Sequence, residues 1–167
     1  MSEYNNNQEM GWSSTIDSVD VSLEPGDYKF TVAGMSKQRH THDASKQNDF
    51  PTHNYAEIKL RIVDPKTGLS VTVNDNLRLL ANHMWRVSGF FESIGQKQKN
   101  QPLTNPNWNI EGATGYCSIV QKPGKDGRTF TNVGKYYARD DVTQEMIQKN
   151  TPAPAQTQPT GWNPGAF

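Results

Sequence analysis

Apolar and polar residues alternate at every second position in five stretches of this chain, and in a sixth they recur every three or four residues. Glu24-Pro25-Gly26-Asp27 is a turn signal, after which Tyr28, Phe30 and Val32 alternate with Lys29, Thr31 and Ala33 as far as Met35, predicting a strand. Residues 36–54 are almost wholly polar and read as a long loop. Loops of that length in a compact domain are functional or disordered. From Tyr55 to Val63, Ala56, Ile58, Leu60 and Ile62 point one way and Tyr55, Glu57, Lys59 and Arg61 the other. In Asp64-Pro65-Lys66-Thr67-Gly68 the proline presets φ and the glycine supplies a positive-φ position, a turn signal. Residues 69–77 then alternate again, Leu69, Val71 and Val73 against Ser70, Thr72 and Asn74, completing a hairpin.

The period lengthens over 79–94. Leu80, Met84, Val87, Phe91 and Ile94 recur at spacings of three and four, Trp85 and Phe90 widen the stripe, and Gly95 ends it. This predicts an amphipathic helix with Trp85 in the core. Residues 96–111, with Pro102 and Pro106, read as a loop. A second hairpin follows at about 113–121 and 128–137 around Lys122-Pro123-Gly124-Lys125-Asp126-Gly127, and after Asp141 a short helix runs to about Lys149. The alternation of the last strand admits two phases: Phe130 and Tyr136 inside with Tyr137 outside, or the reverse. The predicted order is β-β-β-α-β-β, that of the five-stranded OB-fold barrel. The chain therefore reads as mainly β: an acidic N-terminal extension over 1–24, an OB-fold nucleic-acid-binding domain over 25–141, and a short helix with a Pro-rich flexible tail over 142–167. Both extensions are expected to be disordered.

Charge sharpens this picture. The chain has seventeen Lys and Arg against seventeen Asp and Glu. Residues 1–28 hold six carboxylates and no Lys or Arg, residues 29–139 sixteen cations against eight carboxylates, and residues 140–167 three carboxylates against Lys149. The parts are −6, +8 and −2, so a basic body lies between acidic ends and points to a polyanionic partner. The acidic head is a candidate competitor for the basic surface. Cys117 is the single cysteine, excluding an internal disulfide, and its strand-like setting reads as a small buried side chain. The N-terminus has neither a basic leader nor an apolar run, and no stretch approaches the ~20 apolar residues of a membrane span. A soluble, intracellular protein without membrane association is expected.

The residues do not read as an enzyme. His40, His42 and His53 fall in the long polar loop, where a solvated role is the plainer reading than metal binding. No phosphate loop, nucleophile elbow or His-Glu-x-x-His helix is present. No cofactor, no metal and no catalytic residue are expected. Single-stranded nucleic acid asks instead for cations to neutralise phosphates and aromatic faces on which bases stack. The long loop supplies Lys37, Arg39, Lys46 and Phe50, and the second strand supplies Tyr55, Lys59 and Arg61. The last hairpin supplies Lys122, Lys125, Arg128 and Phe130, followed by Lys135 and Tyr137. These are expected to converge on one side of the barrel. Plainer readings stand beside them: Lys59 and Arg61 as solubilising positions, and Phe50 as a staple between loop and body.

Pro25-Gly26-Asp27-Tyr28, the strand Tyr55–Val63, Trp85…Phe90…Ile94-Gly95, and Gly127-Arg128-Thr129-Phe130-Thr131-Asn132-Val133 resemble the small OB-fold single-stranded DNA-binding proteins of bacteriophages, over roughly residues 24–139. The tail is also similar to that of bacterial single-stranded DNA-binding proteins, whose disordered C-terminus ends in Pro-Phe after acidic residues and docks replication partners. Here Phe167 is terminal, but no acid follows Glu145 and two residues separate Pro164 from Phe167. The resemblance implies sequence-independent coating of single-stranded DNA in phage replication, recombination or repair, in the cytoplasm of an infected bacterial cell. Trp162 and Phe167 are candidate docking residues for replication or recombination proteins, and homo-oligomerisation is open. The alternative is a protein-interaction or recombination-mediator module built on the barrel and tail.

Overall fold

A computed structural model describes residues 12–13 and 23–151. Its strands are β1 (Gly26–His40), β2 (His53–Val63), β3 (Ser70–Arg78), β4 (Thr114–Pro123) and β5 (Thr129–Tyr137). Helix α1 (Met84–Ser93) lies between β3 and β4, and α2 (Gln144–Asn150) follows β5. The protein is mainly β: one five-stranded antiparallel sheet in the order β3-β2-β1-β4-β5. No backbone ladder joins β3 to β5, so the sheet is not closed. Among the described residues no helix is long and apolar enough to cross a membrane.

The expected element order is present, with two boundaries moved. The predicted loop 36–54 is shorter, because β1 continues to His40 and β2 begins at His53. Past Thr31, β1 leaves β4 and pairs with β2 alone. Ser36–Arg39 therefore lie exposed on an edge, and nothing there selects for apolar residues. At the helix, Ala81–His83 form a 3-10 turn and α1 starts only at Met84.

Alternation places Tyr28, Phe30 and Val32 of β1 and Ala56, Ile58, Leu60 and Ile62 of β2 in one core with Val73, Leu77, Cys117, Ile119 and Val133. Helix α1 adds Val87, Phe90, Phe91 and Ile94. The Phe90 ring meets Tyr136 edge-on at 5.3 Å, and Phe91 meets Trp108 likewise at 5.0 Å. Gly115 makes this fit possible, since a Cβ there would stand 2.7 Å from Phe30 and 2.9 Å from the Ser93 carbonyl.

In β5 a register shift falls opposite Ser118–Ile119, next to Gly134. The bulge adds one residue to the alternation. Val133 and Tyr136 consequently both face the core although they are three apart, while Phe130 faces out. Neither simple phase of the sequence pattern is correct: Tyr136 is inside, and both Phe130 and the half-buried Tyr137 lie outside it.

The termini of the described body are tied down. Leu23 is buried and its carbonyl accepts from the Gln121 side chain. Thr143 caps α2, Met146 is buried beneath it, and the Asn150 amide donates to the Asp27 carbonyl while its oxygen accepts from the Lys29 N–H, both at 3.1 Å.

Candidate functional site

The two unpaired edges face each other across a side-chain bridge. Asp75 of β3 points inward, and its Oδ2 accepts from Arg86 Nε at 3.1 Å and from the Tyr136 hydroxyl at 2.5 Å. Arg86 on α1 also donates to the carbonyls of Val133 and Gly134 on β5, at 2.8 and 3.2 Å. One guanidinium thus serves both edges, supplying donors that a neighbouring strand would otherwise provide. Burial and the adjacent Asp75 carboxylate push the Tyr136 hydroxyl well above its ordinary range, which keeps it a donor.

Over this bridge lies an open groove of about 1020 Å³. Asn74, Asn76 and Arg78 of β3 form one bank, and Val120, Lys122 and Asn132 of the last hairpin form the other. His83, Trp85 and Arg86 complete it from the α1 side. Arg86 and Asp75 cancel as a pair, leaving Arg78 and Lys122 against Glu57. Trp85 is 63% exposed. The expectation that it belongs to the core is incorrect: three and seven residues on stand Ser88 and Glu92, so it sits on the polar side of α1. That spacing was available in the sequence, as was the outward parity of Arg78 with Asn74 and Asn76, and neither residue was among the expected site residues.

One end of the outer face carries a ring cluster. The Arg78 guanidinium lies 4.1 Å from the Phe50 ring centre and 5.3 Å from that of Tyr55. His40, His53 and His83 meet Phe50 edge-on, at 6.4, 5.9 and 5.7 Å. Phe50 thus staples the β1–β2 loop to β3. The loop also bonds to itself. The Asp49 carboxylate accepts from the Asp43 amide at 2.7 Å and meets His40 at 3.0 Å, and the Asp43 amide bond, with His40, holds it below the usual carboxylate range despite partial desolvation.

His53 is buried, with Nδ1 donating to the Pro51 carbonyl at 2.6 Å and Nε2 accepting from Arg78 at 2.9 Å. A carbonyl only accepts and a guanidinium only donates, so these partners assign the Nδ1–H tautomer. Both nitrogens are occupied, and among the described residues no three His, Cys, Asp or Glu side chains form a metal-binding group. Cys117 is buried, which pushes its thiol up to about 12.

The expected site residues do not share one surface. Tyr55 and Lys59 lie on the outer face of β2, and Lys122 lines the groove. Arg61 shares that parity but lines a separate cleft with Lys29 and Asn150. Lys37 and Arg39 pair with Ala56 and Asn54 and so face the reverse side of the sheet from Tyr55. Lys46, Lys125 and Arg128 are exposed on their loops, Arg128 at 3.7 Å from Asp126. Phe130 pairs with Lys122 on the outer side, its ring lying over Gly124 where no Cβ would fit. Tyr137 donates to Asp27 at 2.7 Å, and Lys135 covers its ring at 4.7 Å. Burial and that hydrogen bond push the Tyr137 hydroxyl to about 12. The convergence of all three basic segments on one side is thereby corrected: Lys37 and Arg39 fall on the reverse face, and Lys135 and Tyr137 are engaged beside β1. Trp162 and Phe167, and nearly all of the acidic head, lie outside the described residues. Neither a family model nor a curated protein matches this chain.

Proposed function

We propose that this protein binds single-stranded DNA with little sequence preference, using an OB-type arrangement in which the Arg86 bridge substitutes for the missing ladder between β3 and β5. The observation that carries the reading is Trp85, an exposed indole in a groove whose banks bear Arg78 and Lys122. Exposed tryptophan is uncommon on a solvated helix face, whereas base stacking on such a ring contributes about 1–3 kcal/mol whatever the base. Lys59 on the outer face and Lys122, Lys125 and Arg128 on the last hairpin extend a cationic path on either side. The net +8 of residues 29–139 provides the long-range attraction. The role inferred is coating of exposed strands during phage DNA replication, recombination or repair, with no chemical step of its own.

Titration with oligo-dT, followed by tryptophan fluorescence at two salt concentrations, tests this. Quenching is expected, with affinity falling by a log–log slope of about −0.7 for each phosphate contacted. Absence of binding at low salt would refute it.

A further inference from the structure

On the reverse face of the β1–β2 arm lies a second concavity, of about 430 Å³, within the ~300–1,000 Å³ span of small-ligand sites. Lys37 and Arg39 stand over it, and Leu79, Ala56 and Trp108 form its apolar part. Arg39 is held in place by a 2.8 Å hydrogen bond to Asn54 Oδ1. Trp108 is braced from behind by Phe91, and the backbone of Leu79 is fixed to the Asn54 carbonyl at 2.9 Å. The lining contains no carboxylate, and among the described residues neither Lys37 nor Arg39 makes an ion pair. Leu79 is nevertheless 41% exposed beside them. Two cations over an indole and a bare leucine suit a ligand that is anionic at one end and flat and apolar at the other.

The pocket and the outer groove share no lining residue but come next to each other at the end of β3. Arg78 lines the groove and Leu79, the next residue, lines the pocket. Tyr55 also lines the pocket and lies beside the Arg78 guanidinium. β3 is an edge of the sheet, so no further strand lies between the groove at Arg78 and the pocket at Leu79.

We infer that this pocket is a second nucleotide subsite, in which a base of the bound strand rests on Trp108 and Leu79 while its phosphate meets Lys37 and Arg39. The inference rests on the single-strand reading above and adds a path to it: the strand wraps the edge of β3 instead of ending in the groove. Its signature is length. An oligonucleotide just long enough to fill the groove does not reach the pocket, and a longer one does.

Affinity and salt slope are measured for oligo-dT from about 4 to about 16 nucleotides, the span of OB-type sites. The proteins compared are the full chain, Lys37→Ala/Arg39→Ala, and Leu79→Glu. On the shortest oligonucleotides that bind, both variants match the parent within about twofold. On the longest, the double variant is about tenfold weaker and its log–log slope is shallower by about 0.7, the share of the one phosphate the pair neutralises. Leu79→Glu reproduces the length-dependent loss with both cations present. Equal weakening at every length, or no weakening at any, would overturn the second subsite and leave the groove standing. Failure of the parent chain to bind at any length would remove both readings.

Discussion

Replacing Arg86 by Met removes every charged donor that links β3 to β5. Asp75 keeps a single partner, the Tyr136 hydroxyl, and the carbonyls of Val133 and Gly134 lose theirs. The side chains of Arg86 and Asp75 are only 16% and 13% exposed, so water restores little of what is lost. Removing one member of such a pair costs about 3–5 kcal/mol, and the residual exposure favours the lower figure, about 3 kcal/mol. Against a total stability of about 5–15 kcal/mol this is a large fraction. In a domain of this size it corresponds to a fall in Tm of about 6–12 °C. Urea unfolding with the m-value recorded measures it directly. Asp75→Asn retains an acceptor for both partners and should cost less, about 1–2 kcal/mol. The double variant Arg86→Met/Asp75→Leu, with no stranded charge, should regain part of the loss. A loss below about 1 kcal/mol for Arg86→Met at unchanged m would show that the bridge does not hold the edges together.

Trp85→Ala should leave stability within about 0.5 kcal/mol, because the indole is exposed. It should weaken oligo-dT binding by about 5- to 150-fold, the equivalent of one stacked base, and a change below about twofold would remove Trp85 from the interface. At alkaline pH, Tyr137 and Cys117 both have native values raised to about 12, from 10.0 and 9.0. A raised native value stabilises fully below the ordinary one and is lost as pH climbs towards the raised one. The urea midpoint should therefore decline from about pH 9 towards about pH 12, less steeply in Tyr137→Phe, and a midpoint flat to about pH 11 would contradict these burial effects.

The core of the sheet was readable because burial on one face forces a period of two. Ile58, Leu60 and Ile62 face inward as their spacing requires. The second half of β1 was not readable, since a strand paired on one edge beyond the core has no apolar face to reveal it. The phase of β5 was hidden by a bulge, which changes parity without leaving a compositional trace beyond Gly134. Asp75 sits at an inward position that pattern alone assigns to an apolar residue; its partner Arg86 comes from another element, so no local rule links them. The groove shows the same limit. Lys59 and Lys122 are identifiable by type, but the face on which Lys37 and Arg39 fall depends on strand parity, which a wholly polar stretch does not display. Trp85 is obscured for the opposite reason: its hydrophobicity points to the core, whereas its helical spacing sets it beside Ser88 and Glu92.

The Asn150 side chain imitates a neighbouring strand, giving one donor and one acceptor to Lys29 and Asp27 where β1 has left its ladder with β2. The two partners are 121 and 123 residues away along the chain. At a synthesis rate of about 5–20 residues per second, Lys29 is made roughly 6–24 s before Asn150. Throughout that interval those two backbone groups of the first strand have only water or another chain to pair with. The end of the sheet that is translated first is therefore completed last, and a nascent chain stalled before α2 would present a ready edge for pairing with its neighbours on a polysome.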